Sequence, residues 1–283
     1  LPRNLDDPNQ IETVQQIGFL AHRFSDAMER PIPDSRLDLC AAPPLLCFLM
    51  ASGRSFLMHF IAALLVALLG VLPASAQIAP TEAELRAYGG LHAAAARGDV
   101  ADIEARIAAA ENKEALDARR RTPLHVAVYL KQHDAARALI RLGADPNKLD
   151  IDRYDIITIA AVANDVSMLK VALEGGGNPK AVTSRYNGTA LIAAAHLGHA
   201  EVVRTLIAAH APLDHVNNLQ WTALIESIVL GDGGNNHTET LRALVEAGAN
   251  VNIPDGSGAT PLKLARSRGY HDMVAILEKS GAK

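Results

Sequence analysis

The feature that most constrains this chain is a spacing. Six stretches share one local design, and their apolar anchors are Leu91, Leu124, Ile157, Leu191, Leu224 and Leu262. Successive anchors stand 33, 33, 34, 33 and 38 residues apart. The fullest copy reads Arg121-Thr122-Pro123-Leu124-His125-Val126-Ala127. Thr122 is suited to be an N-cap, its hydroxyl taking an orphan backbone N–H. Pro123 then fills the first helical position, where its missing N–H costs nothing. Leu124 and Ala127 are three apart and face one side of the helix. Thr189-Ala190-Leu191, Thr222-Ala223-Leu224 and Thr260-Pro261-Leu262 repeat the device, and Gly90-Leu91-His92 and Asp155-Ile156-Ile157 are degenerate copies. A fixed period of this size signals a solenoid, a stack of small units that bury their apolar faces against one another.

Seven residues after the anchors stand Gly98, Lys131, Asn164, Gly198, Gly231 and Gly269. Glycine and asparagine enter the left-handed conformation that closes a helix; at Lys131 strain or a different turn is expected. A second helix follows each time, with apolar pairs Ile103/Ile107, Leu139/Ile140, Leu169/Leu173, Val203/Leu206, Leu241/Leu244 and Val274/Leu277 forming one stripe. These helices should end near Gly143, Gly176, His210, Gly248 and Gly281. Turn-like segments, such as Gly143-Ala144-Asp145-Pro146-Asn147 and Asp255-Gly256-Ser257-Gly258, separate the pairs.

The T-P-L-H-x-A core at this period resembles the ankyrin repeat. The resemblance covers residues 91–283 and, loosely, 81–90, where Thr81-Glu82-Ala83-Glu84 forms a capping box for a lead-in helix. It implies an all-α solenoid of about six helix-turn-helix repeats, with β-hairpin fingers projecting from the stack. The third copy departs most, having Asp155-Ile156-Ile157-Thr158 in place of Thr-Pro-Leu-His. The fifth carries five extra residues within Gly231–Glu239, whose three glycines and two asparagines read as a flexible loop. Asp232, Asn236 and Glu239 offer calcium-type oxygens there, but their spacing does not match an EF-hand loop.

The front of the chain is different. Residues 1–49 carry turn signals and one unpartnered helical pattern, too little to bury a core. They read as an upstream extension, disordered or not translated. Residues 50–76 read as a signal peptide. Arg54 is the positive region, Phe60–Leu72 the apolar region, Pro73 a breaker and Ala74-Ser75-Ala76 the cleavage site. An uncleaved anchor would need a longer uncharged run. The mature domain is then 77–283, beginning at Gln77, and its expected location is the bacterial periplasm or outside the cell. Cys40 and Cys47 both precede the cleavage site, so the mature chain is expected to lack disulfides, thiolate nucleophiles and Cys-ligated metals.

Lys plus Arg number 27 against 31 Asp plus Glu, so no strong basic field exists to hold nucleic acid. Aromatics are 4%, which suits close-packed, alanine-rich helix pairs. No phosphate loop, nucleophile elbow or H-E-x-x-H is present. His196 and His199, three apart, make a zinc site conceivable. The resemblance instead implies structural histidines: His199 matches the Gly-His that opens a second helix, and His92 and His125 match the T-P-L-H histidine that bonds to neighbouring backbone. The run Arg119-Arg120-Arg121 is read either as an anion or acidic-protein contact or as a solvated tip.

In the ankyrin family, partner contacts come from finger tips and from the exposed end of the first helix. Carried over by offset from each anchor, these positions are Arg119, Arg121, Tyr129, Tyr154, Arg185, Tyr186, His196, Leu219 and Trp221, with Asp152 and Leu230 beside them. Trp, Tyr and Arg dominate binding hot spots; the competing reading has these rings filling the seams between repeats. The expected function is non-catalytic binding of a protein along the concave finger and first-helix face. A monomer is expected, with no cofactor, metal or nucleic acid, and no membrane contact after cleavage. The alternatives are a metal-dependent or enzymatic protein using His196 and His199, and a subunit that stacks on itself.

Overall fold

The computed structural model describes residues 78–283; the segments read as an upstream extension and a signal peptide, and both cysteines, lie outside the described residues. A lead-in helix α1 (Glu82–Ala87) precedes six helix pairs. These are α2 (Gly90–Arg97) with α3 (Val100–Ala108), α4 (Pro123–Tyr129) with α5 (His133–Arg141), and α6 (Ile156–Val162) with α7 (Val166–Glu174). There follow α8 (Ala190–His196) with α9 (Ala200–Ala208), α10 (Ala223–Val229) with α11 (Asn235–Glu246), and α12 (Pro261–Ser267) with α13 (His271–Lys279).

The first helices start where the caps say. The hydroxyls of Thr122, Thr189 and Thr222 each accept the N–H three residues on, at 3.3 Å. In the divergent third copy a carboxylate does the same work: Asp155 Oδ1 accepts the Thr158 N–H at 2.8 Å. The helix therefore keeps its register without the Thr-Pro pair. At the fullest copy the cap is reciprocal. The Thr122 N–H donates to His125 Nδ1 at 3.1 Å, and His125 Nε2 lies 3.1 Å from the Lys148 carbonyl. Nδ1 accepts and Nε2–H donates, which is one neutral tautomer, and burial pushes this imidazole below its ordinary pKa.

Packing is in two layers. First helices stack on first helices and second helices on second. All six anchors are buried and belong to one continuous core. Ala94, Ala95, Ala127, Ala160, Ala161, Ala194 and Ala195 are also buried; their small side chains let the first helices approach closely. Each buried Leu or Ile anchor contributes roughly 1.5–3 kcal/mol.

The helix ends answer the expectation at Lys131. It adopts the same left-handed turn as its glycine and asparagine counterparts, with φ 56° against 70° at Gly98 and 51° at Asn164. There is strain there, about 1–2 kcal/mol for a side chain with a Cβ, but no different turn. In the fifth copy the left-handed residue is Gly233, at φ 71°, and not Gly231. Here the flexible-loop reading is corrected. Residues 235–239 form the opening of α11, and 231–234 is a short packed turn. Tyr270 Oη donates to the Gly231 carbonyl at 2.9 Å, and Asp232 Oδ1 accepts the Gly234 N–H at 2.8 Å. The Tyr270 ring lies so close to Gly233 that a Cβ would fall 2.4 Å from it.

The fingers are turns rather than ladders. Each closes through one backbone bond at its base: Asp117 N–H to the Arg121 carbonyl, Asp150 to Tyr154, Thr183 to Gly188, Asn217 to Trp221 and Asp255 to Ala259, at 2.8–3.0 Å. Among the described residues the sheet-like pairing is one isolated antiparallel bridge, Thr183–Gly188.

Stability in such a stack is a sum of local and nearest-neighbour terms. Leu191→Ala, inside the array, should cost about 2–5 kcal/mol and lower hydrogen-exchange protection in the flanking copies. Leu262→Ala should loosen only α12 and α13. Equal loss of protection throughout the chain for both variants would point to one undivided core.

Candidate protein-binding face

The end of the first helix α4 reaches the next finger, through Tyr129 and Asp150, and each finger is closed from within. Asp150 Oδ1 accepts the N–H groups of Asp152 and Tyr154, both at 2.9 Å. Asn217 Oδ1 accepts those of Leu219 and Trp221, both at 3.0 Å. Asp117 Oδ1 accepts those of Arg119 and Arg121, both at 2.8 Å. Neighbouring fingers are joined backbone to backbone. The Ile151 N–H donates to the Arg119 carbonyl at 2.9 Å, Ser184 to Arg153 at 3.0 Å and Asn218 to Tyr186 at 3.0 Å.

The structure divides the nine residues assigned by offset. Arg121, His196 and Trp221 are buried, at 1%, 5% and 4% exposure; this corrects their placement on an open surface. Arg121 is the centre of an ion cluster. Its Nε donates to Asp117 Oδ2 at 2.7 Å, its NH2 to Glu84 Oε1 at 2.6 Å and its NH1 to the Ile78 carbonyl at 3.2 Å. Tyr88 Oη donates to Asp117 Oδ2 at 2.7 Å. The cluster therefore ties α1 to the second copy's finger. Burial raises the Asp117 carboxyl, but the Tyr88 hydroxyl, the Arg121 N–H and the guanidinium outweigh it and hold the group below its ordinary value. Glu84 is lowered in the same way: burial opposes, and Thr81 and Arg121 prevail.

His196 Nδ1 lies 3.2 Å from Glu226 Oε2, and Asn217 Nδ2 donates to Glu226 Oε1 at 2.9 Å. Glu226 is 2% exposed, so both its oxygens need these partners. His199 Nδ1 points the other way, to the Ala161 carbonyl at 3.0 Å. The two histidines reach opposite neighbouring copies. Among the described residues, no group of three or more His, Cys, Asp or Glu side chains could hold a metal ion. Trp221 packs in the continuous core.

The other six stay nearer the surface. Tyr129, Tyr154, Tyr186 and Leu219 are half-buried and Arg185 is exposed. Tyr129 Oη donates to Asp150 Oδ2 at 2.8 Å. Arg119 and Arg185 grip Asp152 from either side, at 2.9 and 3.0 Å, so three successive fingers share one ion cluster.

Sequence offsets missed another set. The exposed large hydrophobic residues among those described are Leu116, Ile151, Val182 and Val216, at 51%, 52%, 41% and 39%. They fall one to a finger in four successive copies. Arg120 and Arg153 are exposed beside them. A partial signal for the row exists in the sequence: Leu116, Val182 and Val216 each stand just before the finger-base residue, whereas Ile151 stands just after its own, Asp150.

The ion cluster carries a pH prediction. Asp117 and Glu84 have folded-state pKa values below their unfolded ones. Their stabilisation is thus present above the ordinary carboxylate range, about 4, and is lost as pH falls through the lower folded values. Hydrogen exchange should show α1 undocking below about pH 4 while α6–α10 remain protected. Arg121→Met, which leaves two carboxylates without their buried cation, should cost about 3–5 kcal/mol and expose α1 even at neutral pH.

Comparison with known proteins agrees with this architecture. A family model described as ankyrin repeats (3 copies) matches residues 65–150 and 157–255, and one described as ankyrin repeats (many copies) matches 233–278. The ankyrin repeat protein YahD of Escherichia coli (strain K12) is 32% identical over 190 residues, spanning 67% of this chain and 94% of its own. Among solved structures, an ankyrin repeat domain from Acinetobacter baumannii AYE aligns with TM-score 0.66 at 42% identity, covering 68% of this chain and 98% of that one. The ankyrin repeat domain of Bcl-3 aligns with TM-score 0.62 at 27% identity, covering 69% and 87%. With its period, caps and stacking in agreement with these matches, the chain belongs to the ankyrin-repeat family.

Proposed function

We propose that this chain is a non-catalytic protein-interaction module whose partner lies along the fingers and the ends of the first helices. The observation that carries the reading is the finger surface itself: four exposed apolar side chains, one per successive finger, with arginines and half-buried tyrosines beside them. Apolar and aromatic groups on a rigid frame lose little entropy on binding and desolvate large areas, and Tyr and Arg are the usual hot-spot residues. We also propose that the module works outside the bacterial cytoplasm, after cleavage behind Ala74-Ser75-Ala76. Among the described residues no helix is long and apolar enough to cross a membrane.

The test has two steps. N-terminal sequencing of the cell-derived protein should give Gln77; cytoplasmic protein retaining residues 1–76 would refute export. A partner captured from periplasm should then bind the Tyr186→Ala variant more weakly by about 2 kcal/mol, with the thermal melt little changed. Glu239→Ala is the control. Glu239 pairs with Arg204 and Arg242 among the second helices, at 3.1 Å each, away from the fingers, and its loss should leave affinity unaltered. Equal affinity of both variants would place the contact elsewhere.

A further inference from the structure

We infer that the row of fingers in the second to fifth copies receives an extended, acidic segment of a partner protein, with an apolar side chain at about every third position. The inference rests on reading the fingers as the partner surface and adds the chemistry of the partner.

The first ground is the row. Single exposed apolar residues are ordinary on any surface, but here Leu116, Ile151, Val182 and Val216 recur one per finger, at 39–52% exposure. A recurrent exposed apolar set of this kind marks a contact surface. The backbone bonds between fingers, from Ile151 to Arg119, Ser184 to Arg153 and Asn218 to Tyr186, make the row continuous.

The second ground is charge. Arg120 and Arg153 are exposed on the second and third fingers, and Lys148 and Lys180 are exposed in the turns just ahead of the third and fourth. Among the described residues none of them forms an ion pair, whereas Asp152 is already held by Arg119 and Arg185. Asp117 and Asp150 are turned into their own fingers. The fifth and sixth fingers carry Asn218, Gln220 and Ser257 instead. The open face is therefore apolar with a positive border, strongest toward the second to fourth copies. The chain's formal charge is −4, so the positive sign is local to these fingers.

Spacing sets the form of the ligand. Stacked helices lie about 8–10 Å apart, and an extended chain advances about 3.3 Å per residue. An extended segment thus presents roughly every third side chain to successive fingers. The residues between are left to meet the cationic border, where carboxylates fit.

The probe is a fluorescent synthetic peptide of a dozen residues with Leu at every third position and Glu between, titrated by anisotropy into the full chain. It should bind saturably, and more weakly as salt rises. Replacing Glu by Lys, or Leu by Ser, should weaken it at least tenfold. So should Ile151→Ser with Val182→Ser, and Arg120→Glu with Arg153→Glu, while melting temperatures hold because these side chains are exposed. Equal binding of the Glu and Lys peptides, or no saturable binding, would overturn the inference. So would binding of anionic lipid vesicles in place of the peptide, or self-association abolished by the Ile151/Val182 pair, which would make a second copy the occupant. If the peptide fails while a captured partner still loses affinity for Tyr186→Ala, the acidic segment is wrong and the face is right. If the peptide binds as stated but the captured partner ignores that substitution, the proposed contact of that partner fails instead.

Discussion

At the base of the second, third and fifth fingers one polar side chain does two things. Its first atom closes the finger on itself, and its second reaches a neighbouring element. Asp117 takes the N–H groups of Arg119 and Arg121 with Oδ1 and the Tyr88 hydroxyl with Oδ2. Asp150 takes Asp152 and Tyr154 with Oδ1 and the Tyr129 hydroxyl with Oδ2. In the fourth finger the two tasks are split: Ser184 Oγ accepts the Tyr186 and Gly188 N–H groups at 3.2 and 3.3 Å, and the Thr183 hydroxyl meets Thr158 of the preceding copy at 2.9 Å. Asn217 closes its finger with Oδ1 and donates to Glu226, which in turn faces His196 of the preceding copy. Loss of any one member leaves a buried polar partner unsatisfied, at about 1–3 kcal/mol each. Burial, and then the facing carboxylates, push the Tyr88 and Tyr129 hydroxyls above their ordinary pKa. They stay protonated and remain donors.

This internal closure governs what the surface can do. The fingers hold their shape through side chains that point inward, so the outward ones are not needed for folding. Arg121, Trp221 and His196 are consumed by the interior. Leu116, Ile151, Val182, Val216 and the neighbouring cations stand outside it. A binding surface can therefore vary in chemistry from copy to copy while the frame beneath stays the same.

The frame was legible because it depends on local rules with a fixed period. Caps, anchors and αL positions each follow from one or two residues, and even Asp155 and Lys131 obeyed the register their neighbours set. Side-chain direction in the fingers was not legible. Arg121, Tyr154 and Trp221 share one offset from their anchors, yet Arg121 and Trp221 are buried and Tyr154 is half-buried. Offset gives the loop; the depth of the space left by the adjacent copies decides which way the group turns. Glu84 and Asp117 supplied Arg121 with a charged interior to enter, and neither lies in its own helix. The insertion failed for a related reason. Gly233, Gly234, Asn235 and Asn236 suit a loop or a helix start equally well, and Tyr270, nearly forty residues on, selects the packed turn.

The central claim is that the finger-base side chain couples one copy to the next. A double-mutant cycle on Tyr129→Phe and Asp150→Ala measures that coupling directly. Finger closure lost with Asp150 is common to both backgrounds and cancels. The account predicts a coupling of about 1.5–3 kcal/mol, as for a buried hydrogen bond to a charged group. Destabilisations that simply add, within about 0.5 kcal/mol, would contradict it.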